Sequence, residues 1–150
     1  MIVIDVGCAS FDGARSMPEL ARRFRPRVIY GFDPNPDEVA PKIKGVRVER
    51  SYAAAWTRGG HIRFRRRGTS SSVTQDSEDE LIPCVDLAAF IHRLPNDEIV
   101  LKLDCEGSEY ALLEHLHRLG VDRRLALVLV EWHGDPQTPR PFVSCPLEEW

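Results

Sequence analysis

The chain has 150 residues, 43% of them hydrophobic and 29% charged, and a formal net charge of -3. That length fits one domain, 1–150, rather than two; the composition is that of a soluble globular protein; and the charge provides no global basic field for nucleic acid or an anionic membrane. The four cysteines, Cys8, Cys84, Cys105 and Cys145, form no CxxC pair, which argues against a zinc or thioredoxin-type site and fits a reduced, cytoplasmic protein.

Residues 2–6, IVIDV, are an apolar run ending at a glycine turn, the pattern of a strand buried on both faces. Without a basic flank, this N-terminus reads as a strand rather than a signal peptide. The segment 16–24, SMPELARRF, predicts a helix capped by Ser16, with Pro18 in its first turn and Leu20, Ala21 and Phe24 on one face. A second strand over 27–32 ends at the turn Asp33-Pro34-Asn35-Pro36. A short helix over 37–44 follows, limited by Pro41, and then a third strand over 46–49. Residues 61–65 alternate as one arm of a hairpin, with Arg63, Arg65, Arg66 and Arg67 on a solvated face.

The polar stretch 68–80 reads as a loop, and 83–86 as a short strand entering a helix over 87–94. Residues 99–103 form the next strand. The helix over 108–119 carries an apolar stripe of Tyr110, Leu112, Leu113, Leu116 and Leu119, and Gly120 suits its C-terminal cap. His92, His115 and His117 are expected at the surface. A further buried strand, 125–130, ends at Glu131-Trp132-His133, before a proline-rich tail. No apolar run approaches the roughly 18 residues of a membrane span.

Strands alternating with helices imply right-handed crossovers and a mainly parallel sheet. In such sheets ligands bind beyond the carboxyl ends of the strands, where the strand order reverses. Four strands here end in an acidic residue or a glycine turn: Asp5-Val6-Gly7, Asp33, Asp104 and Glu131. Glycine lets backbone amides approach a ligand closely, although the spacing from Gly7 to Gly13 is not GxGxxG. Asp33 follows Gly13 by 20 residues, near the position at which nucleoside-binding folds bond the ribose hydroxyls. Its alternative role is to start the DPNP turn. The block LKLDCEGSEY, 101–110, places Asp104, Glu106 and Glu109 where a strand pattern gives way to a helix pattern. Clustered carboxylates raise one another's pKa and bond polyols well. Negative charge at a helix start also favours the dipole, the preferred role for Glu109.

Asp5-Val6-Gly7, Phe32-Asp33-Pro34-Asn35-Pro36, Cys84-Val85-Asp86-Leu87, Leu101 to Glu109 and Glu131-Trp132-His133 occur in the order seen in FkbM-type methyltransferases, which the chain resembles over nearly its whole length. The block K-[IL]-D-x-E-G-[AS]-E is the most specific element. The resemblance implies a Rossmann-like class I methyltransferase fold, S-adenosylmethionine as cofactor, and O-methylation of a hydroxyl on a glycan or related small molecule, with no nucleic acid or membrane partner. It implies that Asp5, Gly7 and Gly13 line the methionine end of the cofactor. Asp33 would hold the ribose, and Pro34, Asn35 and Ala53 would lie near the adenine. Asp104, Glu106, Glu109, Glu131, Trp132 and His133 would face the acceptor. A hydroxyl needs a base to remove its proton; Asp104 is the first choice, His133 the second, and Glu131 stands beside them. Hard oxygen ligands suit magnesium or calcium, but no metal is part of the expectation.

The turn CASFDG departs from the family's D-x-G-A-N-x-G: it is longer and lacks the asparagine. The tail after Glu131-Trp132-His133-Gly134 looks too short for a closing helix and antiparallel strand, so the sheet is expected to be truncated there, its edge open to cover by another copy. These departures motivate a rival reading, a non-catalytic nucleoside- or glycan-binding module of the same fold. Pro83-Cys84 resembles the nucleophilic pair of cytosine-C5 methyltransferases, but it precedes the fourth strand rather than following it, and a packed cysteine is the simpler account.

Overall fold

The computed structural model describes residues 1–8, 16–35, 39–67 and 71–133, and the backbone of 143–145. In chain order its elements are β1 (Ile2–Val6), α1 (Ser16–Phe24), β2 (Val28–Phe32), β3 (Arg47–Ser51), β4 (Ala54–Trp56), β5 (Gly60–Arg65), β6 (Ser72–Val73), β7 (Glu80–Asp86), α2 (Leu87–Arg93), β8 (Ile99–Leu103), α3 (Glu109–Arg118), β9 (Leu125–Val130) and β10 (Val143–Cys145). One turn of 3-10 helix covers Asp122–Arg124. The architecture is mixed α/β. A six-stranded sheet runs in the order β10-β9-β8-β1-β2-β3, and a four-stranded sheet in the order β4-β7-β5-β6. In the larger sheet every pairing is parallel except that of β10 with β9. No helix among the described residues is long and apolar enough to cross a membrane.

Apart from Asp5 and Lys102, β1 and β8 are apolar, because both faces of the sheet are covered. Ile2, Ile4, Val6, Ile99, Leu101 and Leu103 pack with Leu87 and Ile91 of α2 and Leu112 and Leu116 of α3. Val3 and Val100 pack on the other face with Met17, Leu20 and Ala21 of α1. Side chains alternate along a strand, so Asp5 and Lys102, paired in register, share the α1 face.

The helix ends are closed by side chains and turns, as orphan backbone groups require. Asp86 caps α2 by accepting from the Ala89 amide at 3.0 Å. At the other end, the Arg124 guanidinium donates to the carbonyls of Ile91 and Pro95, each at 2.8 Å. After α3, the Gly120 amide bonds the His117 carbonyl and the Val121 amide bonds the Leu116 carbonyl, the double closure that a left-handed glycine permits.

Several elements differ from the sequence-based expectation. Residues 39–44 are not helical; Pro41 removes a donor, and Ile43 and Val46 bridge a turn containing Gly45. The stretch 68–80 supplies β6 and the start of β7, because its acids pair with Arg65 at the end of β5 and with Arg66 just after it. Arg65 reaches Asp79 at 2.8 Å and Asp76 at 2.7 Å, and Arg66 reaches Glu80 at 2.6 Å. The tail, expected to lack an antiparallel strand, contributes β10. On α3, Tyr110 and Leu119 are exposed, whereas His115 is buried, with its Nε2 3.3 Å from Asp86.

The hydrogen bond from Arg65 holds the Asp79 carboxyl below its ordinary value. A depressed folded pKa contributes stability that is present above the unfolded pKa and lost as pH falls through the folded one. Asp79→Asn is therefore expected to flatten the acid limb of the melting temperature, measured by thermal melts from neutral pH downward. An acid limb identical to that of the parent would remove Asp79 from the account of this sheet.

Candidate functional site

The strands β3, β2, β1, β8 and β9 end level with one another. Ser51 is opposite Phe32, Phe32 opposite Val6, Val6 opposite Leu103 and Leu103 opposite Val130. The ladder then continues one bond beyond the strand ends. The amide of Asp33 donates to Ser51, that of Gly7 to Phe32, that of Asp104 to Val6 and that of Glu131 to Leu103, at 3.2, 2.9, 3.1 and 2.8 Å. Asp33, Gly7, Asp104 and Glu131 therefore share one rim.

The rim is tightest where strand order reverses, between β1 and β8. Gly7 has φ +76°, and a Cβ there would lie 1.6 Å from the Asp104 carbonyl oxygen. Only glycine satisfies both constraints.

Below this turn lies a buried polar layer. Asp5 is fully buried on the α1 face. Its Oδ2 accepts from the Ser16 hydroxyl, and its Oδ1 lies 3.4 Å from the Lys102 ammonium. Lys102 also donates to Asp104 Oδ2 at 2.9 Å and to the Gly7 carbonyl at 3.4 Å. Burial pushes the Asp5 carboxyl upward, with Lys102 opposing it. Burial by itself lowers Lys102, but Asp5 and Asp104 outweigh it and the ammonium is raised. Asp5 was expected to line the cofactor; it sits beneath the rim instead, because its side chain falls on the helix-covered face.

After β2, Asp33 Oδ1 accepts from the Asn35 amide at 2.8 Å. The Arg50 guanidinium stands 3.9 Å from Asp33 and donates to the Asn35 carbonyl at 3.0 Å, while Arg66 donates to that of Pro34 at 3.2 Å. Asp33 thus builds its own turn at the position expected to hold a ribose. Ala53 is buried between β3 and β4, and Gly13 lies outside the described residues.

The loop between β8 and α3 gathers the acids. Glu106 has φ 53° and Gly107 φ 98°, which turns the amides of Cys105 and Gly107 inward onto Glu109. Glu109 is fully buried; it accepts from Cys105 at 2.8 Å and Gly107 at 2.9 Å, and meets His133 Nδ1 at 3.0 Å. It anchors the helix start and stands behind the imidazole, rather than facing an acceptor as its place in the substrate set implied. The other ring nitrogen, Nε2, lies 3.6 Å from Glu106, 3.7 Å from Asp104 and 3.7 Å from Glu131. Burial alone would lower the imidazole's pKa; the Glu109 bond and the neighbouring carboxylates reverse this and raise it. Burial, reinforced by nearby Asp104, raises Glu106. Burial and Glu109 likewise keep the Cys105 thiol protonated.

The structure therefore brings Asp104, Glu106, Glu109, Glu131 and His133 into one cluster. Trp132 packs on the core and meets the exposed Tyr110 ring at 4.7 Å. Lys102 had no assigned role in the sequence reading, and Tyr110, placed there on the helix's apolar stripe, is exposed. The two-residue spacing of Lys102 and Asp104, which puts them on one strand face, was the available signal for Lys102.

No family model matches the chain, and neither curated proteins nor solved structures give a match.

Gly7→Ala is expected to cost about 3 kcal/mol or more, since it combines a forbidden φ with a backbone clash; equilibrium denaturation measures it, and a tolerated alanine would refute the close approach. Glu109→Gln sets an amide against a pair of N–H groups, and about 1–3 kcal/mol of stability should be lost. An unchanged denaturation midpoint would show that this carboxylate does not anchor the loop.

Proposed function

We propose that the chain is an S-adenosylmethionine-dependent O-methyltransferase acting on a hydroxyl of a sugar, glycan or related hydroxylated metabolite. The observation that carries this reading is the common rim, on which Gly7, Asp33, Asp104 and Glu131 follow four parallel strands in register. The order β3-β2-β1-β8-β9 is that of sheets that take nucleotides where the order reverses, and it supports a Rossmann-like class I methyltransferase fold. On this reading the cofactor lies over Gly7, with its ribose toward Asp33 and its adenine toward Pro34, Asn35 and Ala53. The acceptor sits at the cluster beside β8 and β9.

S-adenosylmethionine held there would supply the methyl carbon, which the acceptor oxygen would take in line with the sulfur, the C–O bond forming as the C–S bond breaks to a neutral thioether. The hydroxyl proton passes to the cluster, where Asp104 and His133 are the groups able to take it. Glu109 orients His133 for that task, and Lys102 fixes Asp104. Carboxylates of Glu106 and Glu131 suit the remaining hydroxyls of a polyol. A non-catalytic binding module is the second reading, favoured by the withdrawal of Asp5 beneath the rim.

S-adenosylmethionine or S-adenosylhomocysteine at a hundredfold excess over its dissociation constant should stabilise the fold by about 2.7 kcal/mol, read as a thermal shift. Asp33→Ala should abolish the shift. Asp104→Ala should retain it while removing methyl transfer from labelled cofactor to a panel of sugars and polyols. Absence of a shift with both compounds would reject the methyltransferase in favour of the binding module.

A further inference from the structure

We infer that Asp104, Glu106 and His133 form a site for a first-row divalent cation, of the manganese or zinc class. One donor atom from each lies within 4.8 Å of the others, and Glu131 brings a further oxygen to 3.7 Å from Nε2. The set is not only acidic. It centres on an imidazole whose three Nε2-to-oxygen separations, 3.6, 3.7 and 3.7 Å, are too long for hydrogen bonds. They are close to the roughly 3.4 Å edge between donors about 2.1 Å from a tetrahedral ion.

The orientation of the ring is a separate observation. Glu109 is outside the donor set, fully buried, and 3.0 Å from Nδ1. A carboxylate there holds the proton on Nδ1 and turns the Nε2 lone pair outward, the backing arrangement common to metal-binding histidines. With that tautomer, Nε2 and three carboxylates converge as acceptors. Among the described residues Lys102 is the cationic side chain beside them, engaged by Asp5 and by the other oxygen of Asp104. A dication takes the place on Nε2 that a second imidazole proton otherwise fills. The imidazole donor suits zinc, the carboxylates also suit manganese, and a nitrogen in the set disfavours calcium and magnesium, which take oxygen ligands.

A hydroxyl held on such an ion would lose its proton more readily to solvent, His133 then serving as a ligand and not as the base; for that role alone the inference rests on the methyltransferase reading, and the site itself does not. Isothermal titration of the whole chain with manganese chloride and zinc chloride, without methyl donor, tests the site. One equivalent of at least one ion should bind, and His133→Ala and Glu106→Gln should each weaken it at least tenfold. Glu109→Gln should weaken it by about 10- to 100-fold, as loss of a backing carboxylate does. Circular dichroism checks folding, and Glu106→Gln, on a surface loop, carries the test if His133→Ala does not fold. No binding of either ion, or binding that Glu106→Gln and a folded His133→Ala leave unchanged, overturns the site. Magnesium binding as tightly as both ions overturns the imidazole-centred donor set. None of these outcomes depends on the cofactor shift governed by Asp33, so the two readings fail separately.

Discussion

The end of β1 and the end of β8 compete for the same space. Because the two strands are neighbours, with Val6 opposite Leu103, the turn that leaves one must pass the loop that leaves the other. Gly7 resolves the conflict by presenting no side chain to the Asp104 carbonyl. Lys102 then ties the two segments together from below, through the Gly7 carbonyl and the Asp104 carboxylate. Among the described residues, Asp104, Glu106 and Glu131 gather with His133 on the side of β9.

Two buried carboxylates carry this arrangement, and each is compensated differently. Asp5 has a hydroxyl and an ammonium; Glu109 has two amides and an imidazole. Charge without partners would be prohibitive in either place. Even with partners, a buried ion pair seldom stabilises more than well-packed apolar groups. What these groups add is position. Asp5 helps hold the Lys102 ammonium that fixes Asp104, and Glu109 holds both the loop and the ring. The left-handed Glu106, which costs about 1–2 kcal/mol relative to an ordinary backbone conformation, is part of the same construction.

Much of the larger sheet was legible because β1, β2, β8 and β9 are largely apolar runs and its helices have clear periodicity. β1, α1, β2, α2, β8, α3 and β9 lie where the pattern places them. The misses have physical causes. β4 is only three residues long, and β6 and the start of β7 depend on arginine–carboxylate pairs 11 to 14 residues apart. Local pattern reading does not register such pairs. Residues 39–44 have helix-like composition, but Pro41 and Gly45 favour a turn. His115 reads as a polar residue on an exposed helix until Asp86 is brought over it by the chain entering α2. At the site, the convergence of 104–109 with 131–133 followed from parallel topology. The depth of Asp5 and the orientation of Glu109 did not, since each depends on which face a neighbouring helix covers.

A helix start needs far less than Glu109 provides. An exposed acid in the first turn interacts with the dipole at little desolvation cost, and the amides of Cys105 and Gly107 could be satisfied by water. Glu109 is instead fully buried, and its remaining capacity is spent on an imidazole 24 residues away. That bond joins the loop after β9 to the loop after β8 and sets which ring nitrogen faces the carboxylates. An oriented Nε2 among acids is a feature that helix anchoring does not require, and it is the reason for locating chemistry at this cluster rather than treating it as a solvated acidic edge.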